Sequence, residues 1–224
     1  MNPLAAVLPD PVVTALRYDD GGCGPLHPSE EAAVAKAVAS RRAEFITARA
    51  CAREALAALG APATAVPVGE KRSPVWPDGV VGSITHTRGF RGAAVAWASA
   101  VRSLGIDAEA HDVLPDGVLG VVSSEAERAV LARLGADHPD VHWDRLLFSA
   151  KESVYKTWFP LTGRWLGFEE AALTPAADGT FAAELLVPGP VVDGAEVSSF
   201  SGRWTVSGGL VVTGIALPAQ PVSE

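Results

Sequence analysis

Several features that define whole classes of protein are scarce or missing in this sequence. Its 224 residues include two cysteines, Cys23 and Cys51, too few for a disulfide framework and too far apart for a CxxC pair. No segment approaches the roughly 20 uninterrupted apolar residues of a membrane span, and the N-terminal stretch lacks the basic region of a secretory signal. Walker A, GxGxxG and GxSxG motifs are absent as well. We therefore expect a cytoplasmic protein without a membrane segment. The missing motifs give no support to ordinary nucleotide binding or to a serine hydrolase.

Charge is unevenly distributed along the chain. The net charge is −8, yet residues 1–102 hold 11 Lys+Arg against 9 Asp+Glu, whereas the remainder holds 7 against 17. An acidic chain argues against general nucleic-acid binding. Within the first half, one stretch carries five basic residues opposed only by Glu44, which indicates either a local anion site or a solvated helix face. The five are Lys36, Arg41, Arg42, Arg49 and Arg53.

The order of predicted elements indicates an α+β fold. Ala-rich helical spacing runs over 29–59, with a break expected near 39–42. In the second half, helices are predicted over 123–135, stopped by Gly135, and over 142–159, ended by Pro160. The intervening and following segments have the composition of antiparallel strands. The strands are predicted at 80–87, 92–99, 101–110, 179–186, 197–206 and 209–217. We expect two intimately packed α+β halves, 1–102 and 103–224.

Asp107 and Glu109 stand two positions apart at the end of a predicted strand. Residues i and i+2 of a strand point to the same face, so the two carboxylates lie side by side. Such a pair repels and loses solvation together unless a cation or a base joins it. The sequence leaves two interpretations open, a strand that ends in a solvated loop or a Mg²⁺ site.

The segment FSAKESVYK places Glu152 and Lys156 four residues apart on a predicted helix, hence on one face. An exposed ion pair of this spacing is common and contributes about 0.3–0.5 kcal/mol. The surrounding aromatic residues, however, argue that this face is not simply solvated. In GSITHTRGF, His86 ends a predicted strand beside three hydroxyl side chains and Arg88, a set that fits either a phosphate site or a structural histidine.

Taken together and in this order, three motifs resemble the two-domain 4′-phosphopantetheinyl transferases of the Sfp type, in their actinobacterial branch. The motifs are GSITH at 82–86, GIDAE at 105–109 and FSAKESVYK at 148–156. The resemblance implies a pseudo-dimer of two α+β halves with the active site in the cleft between them. It implies transfer of the phosphopantetheine arm of coenzyme A to a serine of an apo carrier protein, with release of adenosine 3′,5′-bisphosphate.

The resemblance also implies roles for individual residues. Asp107, Glu109 and Glu152 match the family's ligands for Mg²⁺, with Mn²⁺ as an alternative. The expected catalytic residues are Glu152, Lys156 and Asp107. Because the attacking hydroxyl must lose a proton, Glu152 is the candidate base, directly or through a metal-bound water, and Lys156 would stabilise charge or orient the leaving group. The residues expected to bind coenzyme A come partly from the motifs and partly from the basic residues of the first half. These are Arg42, Arg49, Arg53, Lys71, Arg72, Ser83, His86 and Lys156.

Carrier proteins or carrier domains of fatty acid, polyketide or nonribosomal peptide synthases are the implied partners, and the pseudo-dimer implies a monomer. The apolar segment after Asp112 is a candidate contact with the carrier, through Val118, Leu119 and Val121. Two alternatives stay open: a protein that binds coenzyme A or a nucleotide without catalysis, and a Mg²⁺-dependent phosphohydrolase of nucleotide substrates.

Overall fold

A computed structural model describes residues 2–220 and confirms the α+β class. Short 3-10 turns at Ala32–Val34, Glu70–Arg72 and Phe168–Glu170 supplement the helices and strands. The helices are α1 (Pro3–Val7), α2 (Pro28–Glu31), α3 (Ala39–Leu59), α4 (Val118–Val122), α5 (Glu125–Asp137) and α6 (Trp143–Thr162). The strands are β1 (Val13–Arg17), β2 (Val80–Thr87), β3 (Phe90–Trp97), β4 (Val101–Ala110), β5 (Ala171–Pro175), β6 (Thr180–Leu185), β7 (Val191–Val192), β8 (Ala195–Glu196), β9 (Ser199–Ser207) and β10 (Leu210–Pro218).

Two antiparallel sheets form the framework, and a small β7–β8 ribbon lies apart from them. The first has the order β1-β3-β2, and the second has the order β4-β10-β9-β6-β5. The edge strands β2 and β4 meet through side chains, because the hydroxyls of Ser83 and Thr85 accept hydrogen bonds from the backbone N–H groups of Ile106 (3.1 Å) and Ala108 (3.0 Å). These hydroxyls replace the ladder bonds that an edge strand otherwise lacks.

Each sheet is covered by one long helix. The small residues of α3, such as Cys51 and Ala52, pack on β3 of the first sheet. Helix α6 packs Leu146, Leu147 and Trp158 into the core of the second sheet. Its approach to β4 is very close at Gly105, where a Cβ atom would lie 2.1 Å from the carbonyl oxygen of Ser153. Only glycine therefore allows α6 to lie against β4 at this point.

Several predicted boundaries differ from the structure. The break in the first helical region falls at 35–38, close to its predicted place. Gly135 does not stop α5, which continues to Asp137. Pro160 lies inside the last turn of α6, which ends at Thr162 and is capped by Gly163 in a left-handed conformation. Those two predictions were wrong, because a glycine can be tolerated in a helix and because the residue that caps α6 lies three positions beyond the proline.

Helix α1 packs on the second sheet, although it belongs to the first half of the sequence. Helix α1 lies against β9 and β10, and Val7 fills the space above Gly214. The expected boundary between residues 102 and 103 falls within β4. Met1 and residues 221–224, which the expected halves include, lie outside the described residues. Within residues 2–220, no helix combines the length and the apolar character needed to cross a bilayer.

Candidate active site

Asp107 is a buried carboxylate on β4, beside the junction of the two sheets. Its Oδ1 accepts hydrogen bonds from Lys156 Nζ (2.7 Å) and from the hydroxyl of Thr85 (3.3 Å). Its Oδ2 is buried and has no hydrogen-bond partner within residues 2–220. A buried carboxylate oxygen without a partner is costly, so this oxygen is available to a ligand that the protein itself does not supply.

Glu152 and Lys156 lie on the side of α6 that faces β4. The ammonium of Lys156 donates to Asp107 and to the carbonyl of Ile106 (3.0 Å), so two of its three hydrogens are bonded. Burial raises the pKa of Glu152, and the charge of Asp107 raises it further, while Lys156 lowers it. The predicted pairing of Glu152 and Lys156 on one helix face is thus part of a partly buried site with Asp107.

Glu109 follows Asp107 on the same face of β4 and is paired with Arg145, whose Nη1 lies 3.3 Å from Oε2. Burial and the charge of Asp107 raise the pKa of Glu109. Within residues 2–220, no three acidic, histidine or cysteine side chains are gathered as a metal-binding group. Lys156 pairs with one oxygen of Asp107, and Arg145 pairs with one oxygen of Glu109. The donor chemistry nevertheless fits a hard divalent cation, because Asp107 Oδ2 is unpaired and the mutual repulsion of the carboxylates is not fully offset.

A cationic cavity of about 260 Å³ lies between α3, β2 and the 70–72 turn. It is lined by Arg41, Arg49, Arg72 and His86. The guanidinium of Arg49 packs 4.2 Å above the ring of Phe45 and donates through Nε to the carbonyl of Val66 (2.7 Å). Because Arg49 is buried, its pKa falls to about 10, which still leaves it charged at neutral pH.

His86 is in contact with Arg41, whose Nη1 donates to Nε2 of the imidazole (2.8 Å). An arginine only donates, so the geometry requires a lone pair on Nε2 and hence the neutral ring. Desolvation and the charge of Arg41 lower the pKa of His86 to about 4. Arg41 belongs to the basic stretch, but it is not among the residues expected to bind coenzyme A. It is adjacent to Arg42, and consecutive helix residues point in different directions, so the sequence does not show which of the two faces His86.

The other basic residues are placed differently. Arg42 pairs with Glu31 (2.7 Å), and Arg53 pairs with the fully buried Glu30 (3.1 Å). Neither of these arginines lines the cationic cavity. Lys71 and Arg72 have left-handed backbone conformations, with φ of 49° and 67°. Arg72 lines both the cationic cavity and the larger cavity beside it.

A central cavity of about 610 Å³ lies between β2 and α6 and contains Lys71, Ser83, Glu152 and Lys156 in its wall. It adjoins the cationic cavity, since the two share Arg72, Pro74 and Ile84 as lining residues. On its other side it shares Glu152 and Tyr155 with an apolar cavity of about 90 Å³. The walls of this third cavity include Trp165, Leu166 and Phe168. The three cavities therefore form a series, with Glu152 on the wall between the second and the third.

Comparison with known proteins identifies the family. Residues 29–96 match the model for the 4′-phosphopantetheinyl transferase N-terminal domain, and residues 103–206 match the model for the 4′-phosphopantetheinyl transferase superfamily. The chain is 56% identical over 220 residues to 4′-phosphopantetheinyl transferase Svp of Streptomyces mobaraensis, covering 96% of this chain and 89% of that protein. It is 50% identical over 224 residues to 4′-phosphopantetheinyl transferase PptT of Mycobacterium tuberculosis, covering 96% and 97%.

A more distant relative is enterobactin synthase component D of Salmonella typhi, which is 36% identical over 138 residues, covering 60% of this chain and 55% of that protein. The chain belongs to the 4′-phosphopantetheinyl transferase superfamily, as the three motifs predicted. It is an enzyme of the type found in the actinobacterial relatives.

Proposed function

We propose that this enzyme transfers the 4′-phosphopantetheine arm of coenzyme A to a serine of an apo carrier protein and releases adenosine 3′,5′-bisphosphate. The observation that carries the proposal is the series of cavities. A cationic cavity suited to a nucleotide phosphate adjoins a central cavity whose wall holds Glu152 and Lys156, close to the unpaired oxygen of Asp107. Coenzyme A needs both cavities, because it carries a 3′-phosphate on its ribose and a pyrophosphate that is cleaved in the reaction.

The 3′-phosphate of coenzyme A is proposed to bind in the cationic cavity. Arg49 is already desolvated there and Arg41 is next to the neutral His86, so charge-assisted hydrogen bonds to an anion are strong at this place. Arg72, with Lys71 beside it, continues the positive charge toward the central cavity. Arg42 and Arg53 are engaged in ion pairs with Glu31 and Glu30, so neither is proposed to bind this phosphate directly. Ser83 is held by Ile106 and shapes the cavity wall.

Asp107, Glu109 and Glu152 are the proposed ligands of Mg²⁺ or Mn²⁺. When bound, a divalent cation neutralises charge on the pyrophosphate oxygens and so favours departure of the nucleotide. Asp107 presents its unpaired Oδ2 for this purpose. Burial and the charge of Asp107 raise the pKa values of Glu109 and Glu152, while the nearby charges of Arg145 and Lys156 act in the opposite direction.

Glu152 is the proposed base for the carrier serine. Its carboxylate lies in the wall between the central and the apolar cavity, where it can accept a proton from a hydroxyl that enters the site. It accepts the proton of the serine hydroxyl, and the serine oxygen then attacks the β-phosphorus of coenzyme A. Lys156, fixed by Asp107 and Ile106, keeps one N–H for the phosphate charge that develops in this step.

The proposed partners are carrier proteins or carrier domains of fatty acid, polyketide or nonribosomal peptide synthases, and the enzyme is proposed to act as a monomer with the two halves 1–102 and 103–224. On α4, Val121 is strongly exposed, whereas Leu119 packs partly against the core of the second sheet. Alanine at Val118 and Val121 should therefore raise the KM for the carrier while the KM for coenzyme A stays unchanged. An unchanged carrier KM would remove α4 from the contact.

One incubation separates the proposed transferase from its alternatives. The protein, coenzyme A and Mg²⁺ are mixed with an apo carrier, and the carrier and nucleotide are analysed by mass spectrometry. A carrier that gains one phosphopantetheine arm supports the transferase. Cleavage of coenzyme A without a modified carrier supports a phosphohydrolase, and binding of coenzyme A with neither product supports a binding protein without catalysis.

A further inference from the structure

Arg145, in the first turn of α6, contacts both the carboxylate site and the loop that leads to α4. Its Nη1 donates to Glu109 Oε2 (3.3 Å), its Nε to the carbonyl of Asp112 (3.0 Å) and its Nη2 to the carbonyl of Val113 (2.7 Å). The side chain is 15% exposed. All three branches of one rigid, planar guanidinium are thus engaged, each with a different residue.

The neighbouring residue strengthens this connection. Asp144 accepts a hydrogen bond from the backbone N–H of Leu114 through Oδ2 (2.8 Å), and Leu114 is itself buried. Three consecutive residues, 112–114, are therefore fixed to the first turn of α6. Val113, between two fixed neighbours, has 58% of its surface exposed.

The far end of the same segment is also attached to α6. Glu127 caps α5 through Ser124 and forms a buried ion pair with Lys151 (2.9 Å). Lys151 also donates to the carbonyls of Phe168 (2.6 Å) and Ala171 (3.0 Å), so its three hydrogens are all bonded. The exposed residues between the two attachments, including α4, are thus held at both ends by the helix that carries Glu152 and Lys156.

We propose that Arg145 is a positioning residue that holds the 112–114 loop, and with it α4, at a fixed distance from Glu109 and the reacting groups. This inference rests on the proposed function, since it supposes that the carrier binds at α4. A carrier that binds at α4 meets a surface that is already held in place, whereas a loop released from α6 would have to be ordered when the carrier binds, which weakens that binding. Three acceptors on one guanidinium fix a loop much more firmly than charge alone does.

The test compares Arg145→Met with Arg102→Met. Arg102 is a matched control, because its guanidinium also joins a carboxylate (Asp193, 2.9 Å) and a backbone carbonyl (Ala98, 2.7 Å), but at the opposite end of β4. In Arg145→Met, we expect the carrier KM to rise about tenfold while the KM for coenzyme A stays within about twofold of wild type. Arg102→Met should leave both constants unchanged.

Arg145→Lys shows whether the planar geometry of the guanidinium or its positive charge holds the loop. This variant also provides a test if Arg145→Met does not fold. Lysine keeps the positive charge but cannot hold three acceptors as a planar fork, so the raised carrier KM should persist. Full recovery in Arg145→Lys would overturn the proposal, and so would an unchanged carrier KM in Arg145→Met. An equal rise in both KM values would also overturn it, because that pattern indicates general damage to the fold.

Hydrogen exchange gives a readout that does not depend on catalysis. Without coenzyme A or carrier, the amides of 112–122 should exchange faster in Arg145→Met than in wild type or Arg102→Met, while those of β9 and β10 should not change. Equal exchange in all three proteins would overturn the proposal. If the wild-type enzyme modifies no carrier, the proposed function fails, yet this comparison still determines whether Arg145 holds the loop.

Discussion

Asp107 has two carboxylate oxygens in very different surroundings. Oδ1 is bound by Lys156 and Thr85, whereas Oδ2 is buried without a partner within residues 2–220. Burial of an unpaired charged atom destabilises a protein, so its retention is reasonable where a ligand completes the site. The proposed metal site thus gives a physical reason for an acidic pair in a buried strand.

Asp107→Asn should therefore abolish transfer while the protein remains folded. Asparagine keeps the shape of the side chain but removes the negative charge, so we expect a loss of at least about 100-fold at saturating coenzyme A. Binding of Mn²⁺, followed by electron paramagnetic resonance in the presence of coenzyme A, should weaken in parallel. Asp178→Asn, in the β5–β6 turn, is the control. Wild-type Mn²⁺ binding in Asp107→Asn would contradict the assignment.

His86 should make stability depend on pH. Its pKa is about 4 in the folded protein, against 6.5 for an ordinary histidine, so between these values the unfolded chain binds a proton that the folded one does not. The free energy of unfolding should therefore fall as pH drops from 7 to 5, and His86→Gln should make this fall smaller. Urea unfolding at the two pH values measures it. His138→Gln should behave as wild type; an unaltered pH dependence in His86→Gln would refute the explanation.

Among the elements, the junction of β2 and β4 depends on side chains. Thr85 accepts the N–H of Ala108 and donates to Asp107, and it does so from a fully buried position. Thr85→Val keeps the shape but leaves the Ala108 N–H without a partner, which should lower the free energy of unfolding by about 1–3 kcal/mol. Thr174→Val, at an exposed position of β5, should change it by less than about 0.5 kcal/mol. Equal losses in the two variants would show that the hydroxyl of Thr85 is not needed.

The contact of α6 with β4 makes a second prediction at this scale. In Gly105→Ala, the new methyl group would collide with the backbone of Ser153 and with Thr157, so α6 must move away from β4. Overpacking of this kind costs about 1–3 kcal/mol and should separate Lys156 from Asp107, with loss of transfer. Gly135→Ala, in α5, meets only Trp143 at 3.9 Å and should be neutral or stabilising. Full activity in Gly105→Ala would contradict the close packing.

The sequence predicts some of these elements much better than others. The strands and the helix that carry the motifs have clear periodicity, and the structure confirms them at β2, β4 and α6. Helix α1 and strand β1 have five residues each, too few to show a period, and they are stabilised by distant parts of the chain.

The same limit applies to the basic residues. That Arg53 pairs with the buried Glu30, and Arg42 with Glu31, depends on contacts between residues 23 and 11 positions apart. A charge pattern along the chain cannot show that Arg41 and Arg49 line the cationic cavity whereas Arg42 and Arg53 do not, since Arg41 also pairs with a glutamate, Glu44 (3.1 Å). The role of Arg145 is hidden for the same reason, since its three acceptors lie 32–36 positions away.

At the scale of the whole molecule, the two halves contribute opposite charges to one site. Residues 1–102 provide the arginines of the cationic cavity, and the more acidic remainder provides Asp107, Glu109 and Glu152. Arg49→Met should therefore raise the KM for coenzyme A at least about tenfold and change kcat much less, because Arg49 lines the cationic cavity but not the central cavity that holds Glu152 and Lys156. Steady-state kinetics at fixed carrier concentration measures this. Arg133→Met, on α5, is the control, and a normal KM in Arg49→Met would exclude the cavity from binding.

The most direct test of the proposed function is a count of two products in one reaction. Apo carrier, coenzyme A and Mg²⁺ are incubated with the wild-type enzyme and with Glu152→Gln, and both the modified carrier and the free adenosine 3′,5′-bisphosphate are quantified by mass spectrometry. Transfer predicts that the wild type forms the two products in equal amounts, one arm per carrier serine, and that Glu152→Gln forms almost none. Nucleotide release without modified carrier, or full transfer by Glu152→Gln, would contradict it.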